Sequence, residues 1–291
     1  MKTICLLAFV SSLVWPVASA LAETPGLGGQ VGDTYEITVD RESSQQRTDN
    51  STSSSHDKDA IVERVVAETA DGVELEYDLP SDSSAEDRAS NWQFPVRVLK
   101  APGGAIQLLN QDELKARVDK WLKAGNMTRA ACGHWIFTWN AFRIECEPES
   151  VITTLRAFEV GPAPHEGGLY ALDDALGPAP LVRNRLDSDG ATFTAELKAD
   201  PDAVRRSRAE GDVVVGEIMR KPVTLEATLQ VRAREEISGT ISVTLETDSA
   251  GNVWRRTKVT KLQIEDKDGN TETDTITESV ERRLVSKGGR S

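Results

Sequence analysis

Alternation of period two opens the readable part of the chain. In 34-TYEITVD-40, Tyr35, Ile37 and Val39 share one side, the mark of a half-buried strand. Residues 41–59 then carry six serines and no apolar residue, which predicts a long flexible loop or an exposed hairpin tip. Apolar periodicity resumes over 60–69. After the turn Ala70-Asp71-Gly72, the run 73-VELEYDL-79 puts Val73, Leu75, Tyr77 and Leu79 on one face, a hairpin signature. A polar spacer at 80–91 leads into 92-WQFPVRVL-99. Pro95 has no N–H for a ladder, so that run reads as an edge or bulged strand.

The period changes at 110-NQDELKARVDKWLKAG-125. Leu114, Val118, Trp121 and Leu122 form one helical stripe, Asp112 and Glu113 sit in the first turn, and Gly125 fits the residue after the end. An amphipathic helix over 111–124 is expected. A second, shorter helix starting at Pro148 would carry Val151, Ile152, Leu155 and Phe158. Residues 161–190, rich in Pro and Gly, read as a connector between an N-terminal β region (23–160) and a C-terminal antiparallel meander (191–286), with a tail at 287–291. The meander is expected to include strands at 191–198, 213–218, 223–233, 237–247, 252–266 and 270–285. Asp268-Gly269-Asn270 and Ala250-Gly251-Asn252 supply turns. On the last strand Ile276, Val280 and Leu284 are expected to make an oily face. The fold class is mainly β: an antiparallel meander sheet, as a sandwich or a partly closed half-barrel, with the amphipathic helix and the second short helix against it.

The first 22 residues change the picture of compartment. Lys2 precedes an apolar run from Ile4 to Val17, and small residues precede cuts after Ala20 or Ala22. This is the pattern of a secretory signal peptide, since the run is shorter than the ~20 residues a span needs and Pro16 interrupts it. The expectation is export, to the periplasm first and the extracellular space second, with no integral membrane span. A eukaryotic origin would make Asn50 and Asn126 glycosylation acceptors. The chain has 34 basic and 47 acidic residues, a net charge of −13. Such a balance argues against nucleic acid and anionic membrane surfaces as partners, both of which need a basic footprint.

Candidate chemistry concentrates in 132-CGHWIFTWNAFRIEC-146. Cys132-x-His134 with Cys146, and Glu145 nearby, would offer zinc ligands, and Cys132 with His134 a thiolate–imidazole pair. Export favours oxidation instead, so Cys132 and Cys146 are expected to form a disulfide across a hairpin that pairs Ile136 with Phe142 and Trp135 with Arg143. His134, Trp135, Phe137, Trp139 and Phe142 are then the candidates for lining a ligand pocket, with core packing as the plainer role. The acidic turns 187-DSDG-190 and 266-DKDGNTETD-274 lack ligands at the required positions of a calcium loop. No cofactor and no metal is expected. The absence of a nucleophile elbow or a phosphate-cradling loop points to an exported non-enzymatic protein binding a small apolar ligand or an envelope protein. The alternative is a hydrolase using scattered Asp and Glu residues.

Overall fold

A computed structural model describes residues 29–137 and 141–289. The expected signal peptide and the hairpin tip Thr138-Trp139-Asn140 lie outside the described residues.

The chain is mainly β, built on one large antiparallel sheet that does not close. Its strands are β1 (Thr34–Arg47), β2 (Thr52–Thr69), β3 (Gly72–Asp78), β4 (Val96–Lys100), β5 (Ile106–Leu108), β10 (Val182–Asp187), β11 (Gly190–Lys198), β12 (Glu236–Thr247), β13 (Val253–Glu265) and β14 (Thr271–Ser286). They lie side by side in the order β10-β11-β12-β13-β14-β1-β2-β3-β4-β5. The first strand therefore pairs with the last in the middle of the sheet, with Val39 opposite Val280 and Arg41 opposite Glu278. Two small ladders, β6 (Trp135–Phe137) with β7 (Ala141–Arg143) and β8 (Leu169–Tyr170) with β9 (Ala179–Pro180), stand apart from it. The helices are α1 (Ala85–Ser90), α2 (Gln111–Ala124), α3 (Ser150–Ala157), α4 (Pro201–Ile218) and α5 (Leu225–Arg232).

Helices α2 and α3 form where the period of the sequence put them, and α2 buries Leu114, Val118 and Leu122. Asn110 precedes α2 without capping it. Its side-chain oxygen accepts instead from the Arg97 backbone N–H at 3.0 Å, fastening the helix start to β4. Three expectations are corrected. Residues 41–59 form the exposed hairpin tip and not the flexible loop: β1 runs through Arg47 and β2 starts at Thr52, because backbone ladders need no apolar side chains and Ser43 sits opposite Ser55. Residues 213–218 and 223–233 are helical, not strands. Asp200 accepts from the Asp202 N–H at 2.9 Å, Pro201 opens α4, and Thr224 accepts from the Ala227 N–H at 3.2 Å to start α5. These caps satisfy helix-end donors and outweigh the β preference of the valines. The face of β14 that carries Ile276, Val280 and Leu284 is not uniformly oily, since a strand alternates with period two and puts Glu278 and Arg282 between them and Asp274 ahead of them.

One face of the sheet is covered, and the apolar residues on it fall into two clusters. The first joins Ile37, Val39, Ile61, Leu75 and Val98 to α2 and α3. The second joins Phe193, Leu197, Ile241, Val243, Leu245 and Ile264 to the connector residues Ala179 and Leu181. Between them runs a charged seam from β2, β1, β14 and β13. Arg282 donates to Glu63 at 2.6 and 2.9 Å, Arg41 to Glu278 at 3.0 Å, and Arg256 to Glu278 at 3.0 Å.

Candidate functional site

The cysteine-bounded stretch is a staple. Cys132 and Cys146 form a disulfide with Cα atoms 5.7 Å apart, and β6 pairs with β7 as Trp135–Arg143 and Ile136–Phe142. Both thiols are thus oxidised, which removes the zinc set and the thiolate pair built on them. His134 stands largely exposed with Nδ1 3.1 Å from Glu217 Oε1. The same carboxylate oxygen accepts from the Trp135 N–H at 3.2 Å, so the hairpin is tied to the end of α4. The Trp135 N–H and then the His134 ring hold the Glu217 carboxyl below its ordinary range. Phe142 is exposed, Trp135 is half-buried, and Trp139 lies outside the described residues. None of His134, Trp135 or Phe142 lines the cavity described next.

That cavity, of about 270 Å³, opens on the covered face where the first half of α4 spans the end of the charged seam. Ala203, Val204, Ser207 and Arg208 come down from α4. Ile241 comes from β12, Lys258, Thr260, Leu262 and Ile264 from β13, and Asp274, Ile276 and Glu278 from β14. Asp174 of the connector and Ala199 complete the wall. The alternation of each strand explains the mixed lining. Ile264, Leu262 and Ile241 belong to the second apolar cluster, whereas Lys258, Glu278 and Asp274 belong to the seam, and the helix crosses the border between them. Ile276 is 42% exposed although it lies on the covered face, as an apolar residue at an open rim would be.

The ionic partners in this wall are almost all taken. Lys258 Nζ donates to Asp174 Oδ2 at 2.6 Å. Arg208 donates to Glu272 Oε1 at 2.6 Å, and its Nε lies 3.3 Å from Glu235 Oε2 without hydrogen-bond geometry. Glu235 in turn accepts from Arg232, which also grips Asp212. Burial pushes the Glu272 carboxyl up, but Arg208 and Arg47 more than offset it and hold it below its ordinary range. Asp274 is the exception. Burial, and then the Glu272 carboxylate beside it, raises its pKa, while the Gln45 amide and the Arg208 charge pull the other way. Its Oδ1 is buried with no hydrogen-bond partner.

The sequence pattern did not single out Arg208, Lys258, Asp274 or Glu278. They stand on elements far apart along the chain. The signal that was there is the interleaving of Asp274 and Glu278 with Ile276 on one face of a strand. Among the described residues, Asp40, Glu42 and His56 bring ligand atoms within 4.8 Å of one another on the opposite face of the sheet, with His56 Nε2 3.1 Å from Asp40 Oδ1. This group is exposed and Lys58 stands opposite Asp40, so a cation there would meet solvent competition and a neighbouring positive charge.

No family model matches the chain, and no curated protein matches it. Among solved structures, it is similar to a lipovitellin described for its lipid–protein interactions, with 10% identity and a TM-score of 0.43 over 90% of this chain and 26% of that one. An outer membrane channel from Pseudomonas putida F1 matches over 87% of this chain and 96% of that one, at 9% identity and a TM-score of 0.21. The chain spans about a quarter of the lipovitellin it matches. Likeness at this level carries no argument about function.

Proposed function

We propose that this is an exported, non-enzymatic protein that holds a small amphipathic molecule in the cavity between α4 and the sheet. The observation that carries the reading is the divided wall of that cavity, apolar along Ile241, Leu262 and Ile264 and polar along Lys258, Asp274 and Glu278. Ligand sites are concave and mostly apolar with a few placed polar groups, and this one fits that description at the small end of the range. An apolar cavity of ~150 Å³ takes a benzene ring, so roughly eleven heavy atoms fit in the volume here. The disulfide suits an oxidising compartment, and the periplasm is the proposed location.

Hydrolysis fits the site less well. Acid–base chemistry by a pair of carboxylates needs two that are free to exchange protons, and beside Asp274 the neighbouring Asp174, Glu272 and Glu278 are each held by a cation.

Native mass spectrometry of gently purified protein tests the reading together with calorimetric titration of octanol. Octanol is expected to bind the parent protein and not the Ala203→Trp variant, whose indole fills the cavity, while circular dichroism stays unchanged. A bare-chain mass with no octanol binding to the parent would overturn it.

A further inference from the structure

The polar wall of the cavity is selective in a way that its net composition hides. Asp174, Glu272 and Glu278 are each held by a cation, whereas Asp274 Oδ1 is buried and unpartnered. A buried acceptor without a donor is costly, so a group that donates to it gains the full benefit of relieving that cost. Two donors can do so: a proton on Asp274 itself, or a donor on the bound molecule. We propose that the cavity binds amines carrying a short apolar chain, the ammonium donating to Asp274 Oδ1 and the chain lying along Ile276, Leu262 and Ile264. The proposal rests on the cavity reading above and names the ligand class for it.

The surroundings favour an ammonium over other head groups. Facing Asp274 are Glu272 and Glu278 of its own strand, Gln45 and Arg47 of β1, Lys258 of β13, Arg208 of α4 and Asp174 of the connector. Arg47 and Arg208 are paired with Glu272, Lys258 with Asp174, and Arg41 and Arg256 with Glu278. Among the described residues no cation pairs directly with Asp274, and an ammonium would supply that contact. A carboxylate head group would instead place another anion beside it. A hydroxyl would donate one hydrogen bond without the charge. The raised pKa of Asp274 accords with this, because the lone carboxylate is reluctant to ionise until a cation arrives. Binding of an ammonium to the protonated acid then releases that proton to solvent, so amine and proton compete for one oxygen.

The test is calorimetric titration of the full chain with octylamine, octanol and octanoate. Octylamine is expected to bind ~10-fold or more tighter than octanol, one charge-assisted hydrogen bond against a neutral one, and octanoate more weakly than either. The advantage of octylamine should grow as pH rises through the raised pKa of Asp274 while octanol stays level, because only the amine competes with the proton. The Asp274→Asn variant, near-isosteric, should lose the amine preference and its pH dependence and keep octanol binding. That variant also controls for loose adsorption of amines to an acidic protein. Octanol binding with no amine preference, or a preference that survives in Asp274→Asn, would overturn the inference and leave the cavity reading standing. If none of the three probes binds, both fall together. Should the variant not fold, the pH series on the parent protein decides alone.

Discussion

At the scale of single residues, the charged seam shows how buried ions are tolerated in the middle of a sheet. Glu63 is nearly buried, and it is held from two sides: the Tyr77 hydroxyl donates to it at 2.8 Å and Arg282 donates through two nitrogens. Arg282 also lies over the Tyr35 ring, 3.4 Å from its centroid. Burial, and then the Glu63 charge, drives the Tyr77 phenol well above its ordinary pKa, so it remains a donor through alkaline conditions. Removing one partner of such a pair leaves a desolvated charge, which costs far more than the pair contributes. Arg282→Met is therefore expected to destabilise the protein by about 3–5 kcal/mol in urea denaturation. Adding Glu63→Gln to that variant should restore a good part of the loss. A loss that the second substitution leaves untouched would place the cost in lost packing on Tyr35 instead.

At the scale of elements, the hairpin and α4 illustrate opposite degrees of legibility. Two cysteines in an export context, with aromatic and β-branched residues between them, were enough to predict a stapled hairpin and its register, because cross-strand pairing follows from the midpoint of the loop. Closure of a loop of this length is worth about 3 kcal/mol in the chain-entropy account. The double substitution Cys132→Ser with Cys146→Ser should lower the unfolding free energy by about that amount. Equal stability of the double variant and the oxidised parent would sink that estimate. Helix α4 is hidden from local pattern because Val213, Val214 and Val215 carry β preference. The decisive signals were Asp200 and Pro201 at its start, twelve residues earlier, and they act on the whole helix at once.

At the scale of the whole molecule, the chain closes on itself. Strands from both sides of the connector meet in one sheet through the β1–β14 ladder. Asp33 pins the ends beside it: Oδ2 accepts from the Gln30 N–H at 2.8 Å and Oδ1 from the Gly288 N–H at 2.9 Å. These two backbone donors, Gln30 first, depress the pKa of Asp33. A carboxyl depressed in the folded state stabilises fully above its unfolded pKa, and the contribution disappears as pH falls through the lower folded value. Asp33→Asn should thus be less stable than the parent at about pH 7, with the gap narrowing as pH falls below the ordinary carboxyl value of about 4 and on through the lower folded one. Thermal unfolding across that range measures it. A gap that does not depend on pH would show that shape, not charge, fixes the ends.

The sequence by itself determined the mainly β class, α2 and α3, the disulfide and several turns. Each of these is set by residues close in the chain, through periodicity, caps or a short loop. Only the tertiary structure decided the pairing of β1 with β14, the helical state of 201–232 and the cavity. The cavity arises because an apolar cluster and a charged seam meet under a helix, and its residues come from a connector loop, a helix and three strands. Local pattern cannot bring Asp174, Arg208 and Asp274 together. Strand order and helix placement can, and with them the buried, unpartnered Oδ1 of Asp274 acquires its setting.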